Sequence, residues 1–383
     1  MSGWDDWLAA QRAERERAGL QRELRPRAAD EELLDLAGND YLGLRRHPEV
    51  RRAAAAAGWE WGAGAGASRL VTGTTTLHAE LEQELAGFAG RESALVLSTG
   101  YQANLAAVTA LAGKDALIVS DAHAHASLID AARLSRAAIE VVPHHDVAAV
   151  RAALAAAGGR RALVLTESIF SVLGDAAPLP ELAAVCAEHD ALLVVDEAHG
   201  LGVAGHGGRG LVHARGLAGH PHVVVTATLS KSFGAMGGAV LGSAALIDHL
   251  VNRARPFVFD TALAPAPAAG ALAALRLLRR NPGLPALIHE RGAALAARLG
   301  VPRSAGAVLS VPMPSPRSAL AAQAAVLAAG VRVGCFRPPS VPDGVSRLRA
   351  TTSAGLGEAD WSRAVDVLAR VVGEQRAAGR WSA

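Results

Sequence analysis

Lysine is almost absent from this chain. Of its 38 lysine plus arginine residues only two, Lys114 and Lys231, are lysines. Arginine stays protonated at physiological pH, whereas a desolvated lysine can lose its proton and become a nucleophilic amine. Lys231, in the loop TATLSKSFGAMGG (226–238), is therefore a candidate for amine chemistry. Cysteine is scarce too. Cys186 and Cys335 are too few for a disulfide framework, fit no metal spacing and suit a reducing compartment. A net charge of +2 excludes a strong field for nucleic acid or anionic membrane. The longest apolar run, ALAPAPAAGALAAL (262–275), is short and broken by prolines, so it cannot span a bilayer. MSGWDDWLAA at the start carries acidic residues and no apolar secretory core. The expectation is a soluble cytoplasmic protein.

What is present is an α/β pattern. The chain has 383 residues and is 51% hydrophobic, enough for two domains or one large core. Residues 4–25 read as a charged amphipathic helix ended by Pro26, with further helices over about 48–61 and 75–89. Seven short apolar runs follow: ALVLS (94–98), ALIVS (116–120), IEVVP (139–143), ALVLTE (162–167), ALLVVD (191–196), VVVTAT (223–228) and GAVLGS (238–243). Near-continuous Val, Leu and Ile without alternation marks strands buried on both faces, and helical stretches between most of them imply a mainly parallel sheet. Only a loop separates the last two runs, which suggests an antiparallel edge. A long Ala/Leu helix (about 262–280) leads into weaker strands, AVLSVPMP, VRVGCF and SRLRATTS, with helices around 318–329 and 358–374. The division expected is an N-terminal helix and arm (1–45), a large domain (46–260), and a linking helix with a smaller α+β domain (261–383).

Ligands of an open parallel sheet sit beyond the carboxyl ends of its strands. Three motifs there or nearby are misleading. DEAH (196–199) resembles a helicase element, but no G-x-x-x-x-G-K-[ST] loop accompanies it. GAGAGAS (62–68) follows a helix rather than a strand, so it reads as a loop for close backbone approach to a ligand, not a dinucleotide fingerprint. DAHAH (121–125) and HHD (144–146) suggest a metal, yet capping and solvation explain His144 and His145, and no metal is assigned.

The remaining strand-end residues form a set. Asp196 ends the most apolar strand, His199 follows three residues later, and Lys231 lies past the next strand beside Thr228 and Ser230. A glycine-containing turn, Ser98-Thr99-Gly100-Tyr101, ends another strand. Pyridoxal phosphate needs such parts: a lysine to carry it, an acid for its pyridine nitrogen, and hydroxyls and backbone N–H groups for its phosphate. Over nearly its whole length the chain resembles the α-oxoamine synthases, a branch of the fold-type-I pyridoxal-phosphate enzymes. Matching segments are NDYLGL, SRLVTG with His78 following, TGYQAN, HASL, TESIFS with GD behind it, VDEAHGLGV, GRG, TLSKSFG, RPPSVP and RLRATTS. SRLVTG, RPPSVP and the chain length are most similar to the family's biotin-pathway branch.

The resemblance implies a large domain with a seven-stranded, mostly parallel sheet, a smaller α+β domain and a homodimer. It implies that Lys231 carries the cofactor and acts as the Cα base, and that Asp196 pairs with the pyridine nitrogen. His199 would bond the ring oxygen, His125 stack on the ring and Ser171 lie near that oxygen. Thr228, Gly100 and Tyr101 would hold the phosphate, with Thr261 reaching it across the dimer interface. Arg349 would clamp the amino-acid carboxylate, although Arg347 shares its strand face. Asn39, His78 and Thr351 would line the substrate site, and Arg22 would reach the acyl donor. The implied reaction condenses L-alanine with a pimeloyl thioester, carried on coenzyme A or acyl carrier protein, with loss of CO2. A sibling reaction with glycine or another thioester is the alternative. The chain departs from the family at Val172-Leu173, where many relatives have Met-Asp, at Leu356, where a histidine is frequent, and at Glu197, where Asp is also common.

Overall fold

A computed structural model of the chain describes residues 3–338, 340–341 and 343–377. Pro339 and Pro342 of RPPSVP lie outside the described residues. The arm contributes α1 (Gly3–Arg17) and β1 (Leu34–Leu36), followed by α2 (Pro48–Trp61) and α3 (Thr76–Ala89). Then come β2 (Ser93–Leu97), α4 (Gly100–Leu111), β3 (Leu117–Asp121), α5 (Ala126–Ser135), β4 (Ala138–Val142), α6 (Val147–Ala155), β5 (Ala162–Glu167), β6 (Leu192–Asp196), β7 (Val223–Thr228) and β8 (Gly238–Gly242). All seven apolar runs are strands of one sheet, ordered β2-β8-β7-β6-β5-β3-β4.

Successive residues of these strands feed different cores. Leu163 and Leu165 of β5 pack into one apolar cluster and Val164 into the other, because side chains alternate across a sheet. Each such buried Leu or Val contributes roughly 1.5–3 kcal/mol relative to exposure. Outside the exposed edge strand β4, this burial is why the runs show no polar alternation.

The second sheet has the order β1-β10-β11-β9, with β9 (Val308–Pro312), β10 (Val331–Phe336) and β11 (Arg347–Thr351). Its β1 comes from the arm, pairing in parallel with β10 through Leu34 and Val331. A third core joins this sheet to the C-terminal helix Glu358–Ala377 through Trp361 and Leu368. Residues 34–36 and 308–351 thus build one layer from both ends of the chain.

Four expectations need correction. The first helix ends at Arg17, not at Pro26: Gly19 takes a left-handed φ of 66°, and α1 has no buried residue whose packing could extend it. The antiparallel strand is not at the edge. β8 is antiparallel to both β2 and β7 and lies between them, because β2 returns to cover it. β4 is not buried on both faces: at the sheet edge, only Val142 of its five residues is buried. Finally, Gly62, Gly64 and Gly66 approach nothing within this chain, since a Cβ at each would meet open space.

Closeness matters instead where β8 begins. A Cβ on Gly238 would stand 2.3 Å from the Thr99 carbonyl oxygen and 2.5 Å from the Gly100 nitrogen, both backbone atoms at the start of α4. Gly238→Ala is expected to lower stability by about 1–3 kcal/mol, as overpacking does. Chemical denaturation would read this, and an unchanged midpoint would show that the strand and helix can part at no cost.

Candidate active site

The carboxyl ends of β2, β5, β6 and β7 enclose a cavity of about 270 Å³. It is lined by Thr99, Gly100, Tyr101, Asn104, His125, Ser127, Glu167, Asp196, Ala198, His199, Thr228, Ser230 and Lys231. Seven residues singled out from the sequence therefore meet in one place: Lys231, Asp196, His199, His125, Thr228, Gly100 and Tyr101.

Lys231 Nζ lies 2.8 Å from His199 Nε2. Burial lowers its pKa to about 8, reinforced by Arg349 and opposed by Asp196 and Glu167. Burial, with Lys231, Arg349 and His125 adding to it, also holds His199 well below its ordinary value, so the imidazole is neutral. Its tautomer follows from its neighbours. Arg349 can only donate, and its two terminal nitrogens lie 3.2 and 3.3 Å from Asn39 Oδ1. The Tyr41 hydroxyl donates to that same oxygen at 3.0 Å. Its single proton is then committed, so at 2.7 Å it accepts from His199 Nδ1–H. His199 Nε2 is left as an acceptor for the Lys231 amine. One chain of hydrogen bonds runs Lys231–His199–Tyr41–Asn39–Arg349.

The floor is equally constrained. Asp196 accepts from Asn104 Nδ2 at 2.7 Å and from the Ala198 N–H at 2.8 Å. Asn104 also donates to Ser127 and accepts from Thr226. In register with Asp196 on β5 stands Glu167, whose Oε2 accepts from the Ser171 N–H at 3.1 Å while Oε1 has no partner. Burial, with the Asp196 charge beside it, pushes the Glu167 carboxyl well above the usual range, while Lys231 and the Ser171 N–H oppose the shift. His125 stands at the cavity mouth, its Nδ1 2.7 Å from Ser127 Oγ; burial of the ring lowers its pKa. At the other wall, α4 begins at Gly100 against Thr228, whose hydroxyl meets Ser230 Oγ at 2.7 Å.

Arg347 and Arg349 separate here. Arg347 is paired with Asp343 at 2.6 and 3.0 Å, whereas Arg349 turns to Asn39, to the Ser171 carbonyl at 2.7 Å and over the Phe336 ring at 5.2 Å. Ser171 thus contributes backbone rather than a lining side chain. Four expected substrate or phosphate residues lie apart from the cavity. His78 is fully buried near the start of α3, bonded to Thr75 Oγ1 and the Leu263 carbonyl. Thr351 is buried at the end of β11 opposite Val308. Thr261 is exposed and bridges Ser68. Arg22 donates to Ser340 Oγ at 2.6 Å in a separate pocket of about 220 Å³, lined also by Phe336, the ring that Arg349 covers. Tyr41, Asn104, Ser127 and Glu167 were not assigned roles from the sequence, although all four sit inside segments quoted for the resemblance. Glu197, the conservative departure, is buried and held by Ser168 Oγ and the Val212 N–H, a structural place.

His144 and His145 do not cap the helix that follows them. Asp146 caps α6 by accepting from the Ala149 N–H. His144 lies between Asp121 and Asp175; burial works against its charge, but the two hydrogen bonds push its pKa up to about 9.

Comparison with known proteins follows from this geometry. A family model described as aminotransferase class I and II matches residues 31–368. An 8-amino-7-oxononanoate synthase of Mycobacterium sp. (strain JLS) is 54% identical over 367 residues, covering 96% of each chain. That of Mycobacterium leprae (strain Br4923) is 56% identical over 370 residues, covering 96% of this chain and 95% of its own. Among solved structures, a serine palmitoyltransferase from S. paucimobilis with a bound PLP–myriocin adduct matches with a TM-score of 0.88 at 30% identity over 98% of both chains.

The scarcity of lysine makes the amine directly observable. In cofactor-free protein labelled with carbon-13 at lysine Cε, one of two signals should titrate near pH 8 and vanish in Lys231→Ala. Between 8 and the ordinary 10.5 the folded chain binds fewer protons here than the unfolded chain, so stability from this group rises with pH across that window. If neither signal titrates below pH 10, the amine is not desolvated.

Proposed function

The chain belongs to the class I and II aminotransferase family, as a fold-type-I, acyl-transferring pyridoxal-phosphate enzyme of biotin biosynthesis, and from that premise we propose its reaction and the part each residue takes. It condenses L-alanine with a pimeloyl thioester, on coenzyme A or acyl carrier protein, giving 8-amino-7-oxononanoate, CO2 and the free thiol. The observation that carries this reading is the weakened Lys231 amine in one cavity with Asp196, joined by hydrogen bonds to Arg349.

The cavity suits the cofactor. A Cβ on Gly100 would lie 2.8 Å from Thr228 Cβ, so only glycine lets the first turn of α4 close on that hydroxyl. The N–H groups of that turn and the Thr228 hydroxyl form an anion cradle for the phosphate. Asp196, oriented by Asn104 and the Ala198 N–H, would meet the pyridine nitrogen; His125 would cover the ring and His199 its oxygen. When bound, the cofactor supplies a conjugated ring that accepts the electron pair left at the substrate Cα.

The protein's own groups do the rest. Lys231 Nζ would carry the cofactor and then take the proton from Cα. At about 8, roughly a tenth of such amines are neutral at pH 7, against roughly one in three thousand at 10.5. Arg349 would exchange its bonds to Asn39 Oδ1 for a paired grip on the alanine carboxylate, which fixes the direction of the Cα–H bond. Ser171 would steady the guanidinium through its carbonyl. Asn39 would remain at the substrate, and Arg22, beyond Phe336, would meet the acyl donor. His78 and Thr351 would support the site from beneath rather than line it.

A homodimer fits this reading. Leu70, Val71 and Phe259 are 53%, 73% and 70% exposed, on two segments joined by the Ser68–Thr261 bridge. A second copy covering them would bring Thr261 towards its partner's phosphate site. Among the described residues no helix is long and apolar enough to cross a membrane. With both cysteines free, a cytoplasmic location is proposed.

Absorbance of the purified protein tests the cofactor: wild type should show a visible band that Lys231→Ala loses. Added L-alanine with pimeloyl-coenzyme A should release CO2, and faster turnover of glycine would move the assignment to the sibling reaction. Arg349→Ala should raise KM for L-alanine by about 10–150-fold, the worth of about 1.5–3 kcal/mol in a charge-assisted bond. An unchanged KM would remove Arg349 from the carboxylate.

A further inference from the structure

Beyond the cavity, the ends of β3 and β4 and the loop after β5 gather a second set of titratable side chains that the proposed reaction does not use. His144 Nδ1 is 2.8 Å from Asp121 Oδ1 and His144 Nε2 is 2.8 Å from Asp175 Oδ2. His123 and His145 stack on the His144 ring, with centroids 3.9 and 3.7 Å away, and Phe170 meets His144 edge-on at 4.4 Å. Asp121 also accepts from the backbone N–H groups of His123 and His145. His145 is held in left-handed backbone at φ 63°, unusual for a residue with a side chain.

Hydrogen bonding leaves this cluster incomplete. His145 Nε2, Asp175 Oδ1 and His123 Nδ1 are buried atoms without a hydrogen-bond partner. His145 Nε2 stands 3.5 Å from Asp175 Oδ2, and one ligand atom from each of His144, His145 and Asp175 can be chosen so that all lie within 4.8 Å of one another. We propose that His144 Nε2, His145 Nε2 and the Asp175 carboxylate form a binding site for one divalent transition-metal cation of the zinc class, with Asp121 orienting His144 from behind.

The donor set chooses the cation. Two imidazole nitrogens and one carboxylate favour zinc, cobalt or nickel over calcium and magnesium, which prefer all-oxygen shells. Ligand atoms about 2.0–2.2 Å from a tetrahedral zinc lie roughly 3.3–3.5 Å apart, so small ring movements convert the present spacing. A carboxylate on the second nitrogen of a ligating histidine, as Asp121 is on His144, fixes the ring and raises its basicity. The cation replaces the proton that His144 Nε2 shares with Asp175, and that proton leaves to solvent; no electron is transferred. The remaining coordination position is open to water.

Such a cation would be structural. Asp175 closes the loop whose Ser171 carbonyl accepts from Arg349, and whose Gly174 carbonyl accepts from the Ala305 N–H and Ser304 Oγ. Tying Asp175 to β4 would pin that loop against the large sheet. The inference is independent of the proposed reaction, and it departs from the assignment of no metal made from the sequence.

Chelator-treated holoenzyme, titrated with Zn2+ in a calorimeter and melted with and without it, tests the site alongside His145→Asn and Asp175→Asn. Wild type should bind one equivalent and melt at a higher temperature with zinc. Each variant should bind at least about ten-fold more weakly, as loss of a ligand implies, and gain no such rise. Retained cofactor absorbance reports that the variants are folded. If Asp175→Asn fails to fold, His145→Asn carries the test, since its side chain makes no hydrogen bond to lose. No saturable binding, or the same affinity and stoichiometry in a folded variant, would overturn the proposal and place the cation on other histidines.

Discussion

The desolvation of one ammonium group governs the arrangement of this molecule. Burial lowers the Lys231 amine to about 8, and that burial exists only because parts of the chain far apart in sequence close around it. The amine's immediate partner, His199, comes from the end of β6. That histidine is kept neutral by burial and locked in one tautomer by Tyr41, which belongs to the arm before α2. Tyr41 is directed by Asn39, and Asn39 by Arg349 of β11. The basicity of a lysine on the large sheet thus depends on an arginine of the small one. Removing the small sheet would take away the Arg349 charge that helps to weaken the amine.

The two sheets are accordingly interlocked rather than merely apposed. The small sheet borrows β1 from the arm, and the arm then runs through Asn39 and Tyr41 directly into the cavity wall. Gly43 crosses Gly355 so closely that a Cβ on it would come within 2.3 Å of the Gly355 Cα, and its φ of 70° already requires glycine. That crossing ties the residues just after β11 to those just after β1. By contrast α1 buries nothing, so the described chain supplies no packing energy to hold it. Rigidity is concentrated where the amine needs it and absent at the outer end of the same arm.

Much of this was legible in sequence because burial and backbone chemistry leave local marks. Six of the seven strands were readable since they are buried and must be apolar; β4, at the sheet edge, is exposed over Ala138–Val141 and was legible only from its β-branched residues. The ends of those strands pointed to Lys231, Asp196, His199 and Thr228, and the cavity brings these side chains together with Gly100, Tyr101 and His125. What was not legible are relations that no local pattern encodes. The place of β8 in the interior depends on where β2 returns, a long-range pairing. Arg347 and Arg349 have the same period and charge, and only Asp343 and Asn39 separate them in space. His144 was read as a cap because it precedes a helix, yet Asp146 does the capping and Asp175, 31 residues away, accepts from the imidazole. Glu167 ends a strand in the sequence; its raised pKa arises from burial and from standing in register with Asp196.

The composition and the site can be argued from one property of the two basic side chains. A guanidinium is planar, donor-only and permanently charged, so it can fix the orientation of Asn39 and grip a carboxylate at two points, and a lysine at 349 could do neither as well. An ammonium on a flexible stem is a poor clamp, but it is the only common cation that burial can turn into a nucleophile near neutral pH. The chain uses arginine for its ion pairs, from Arg69 with Glu82 to Arg332 with Glu31. At Lys231 the same replacement would place an undischargeable cation beside His199 in a desolvated site. Burial would then cost energy with no neutral state to relieve it. The residue that escaped the arginine bias stands where the structure cannot accept a permanent charge.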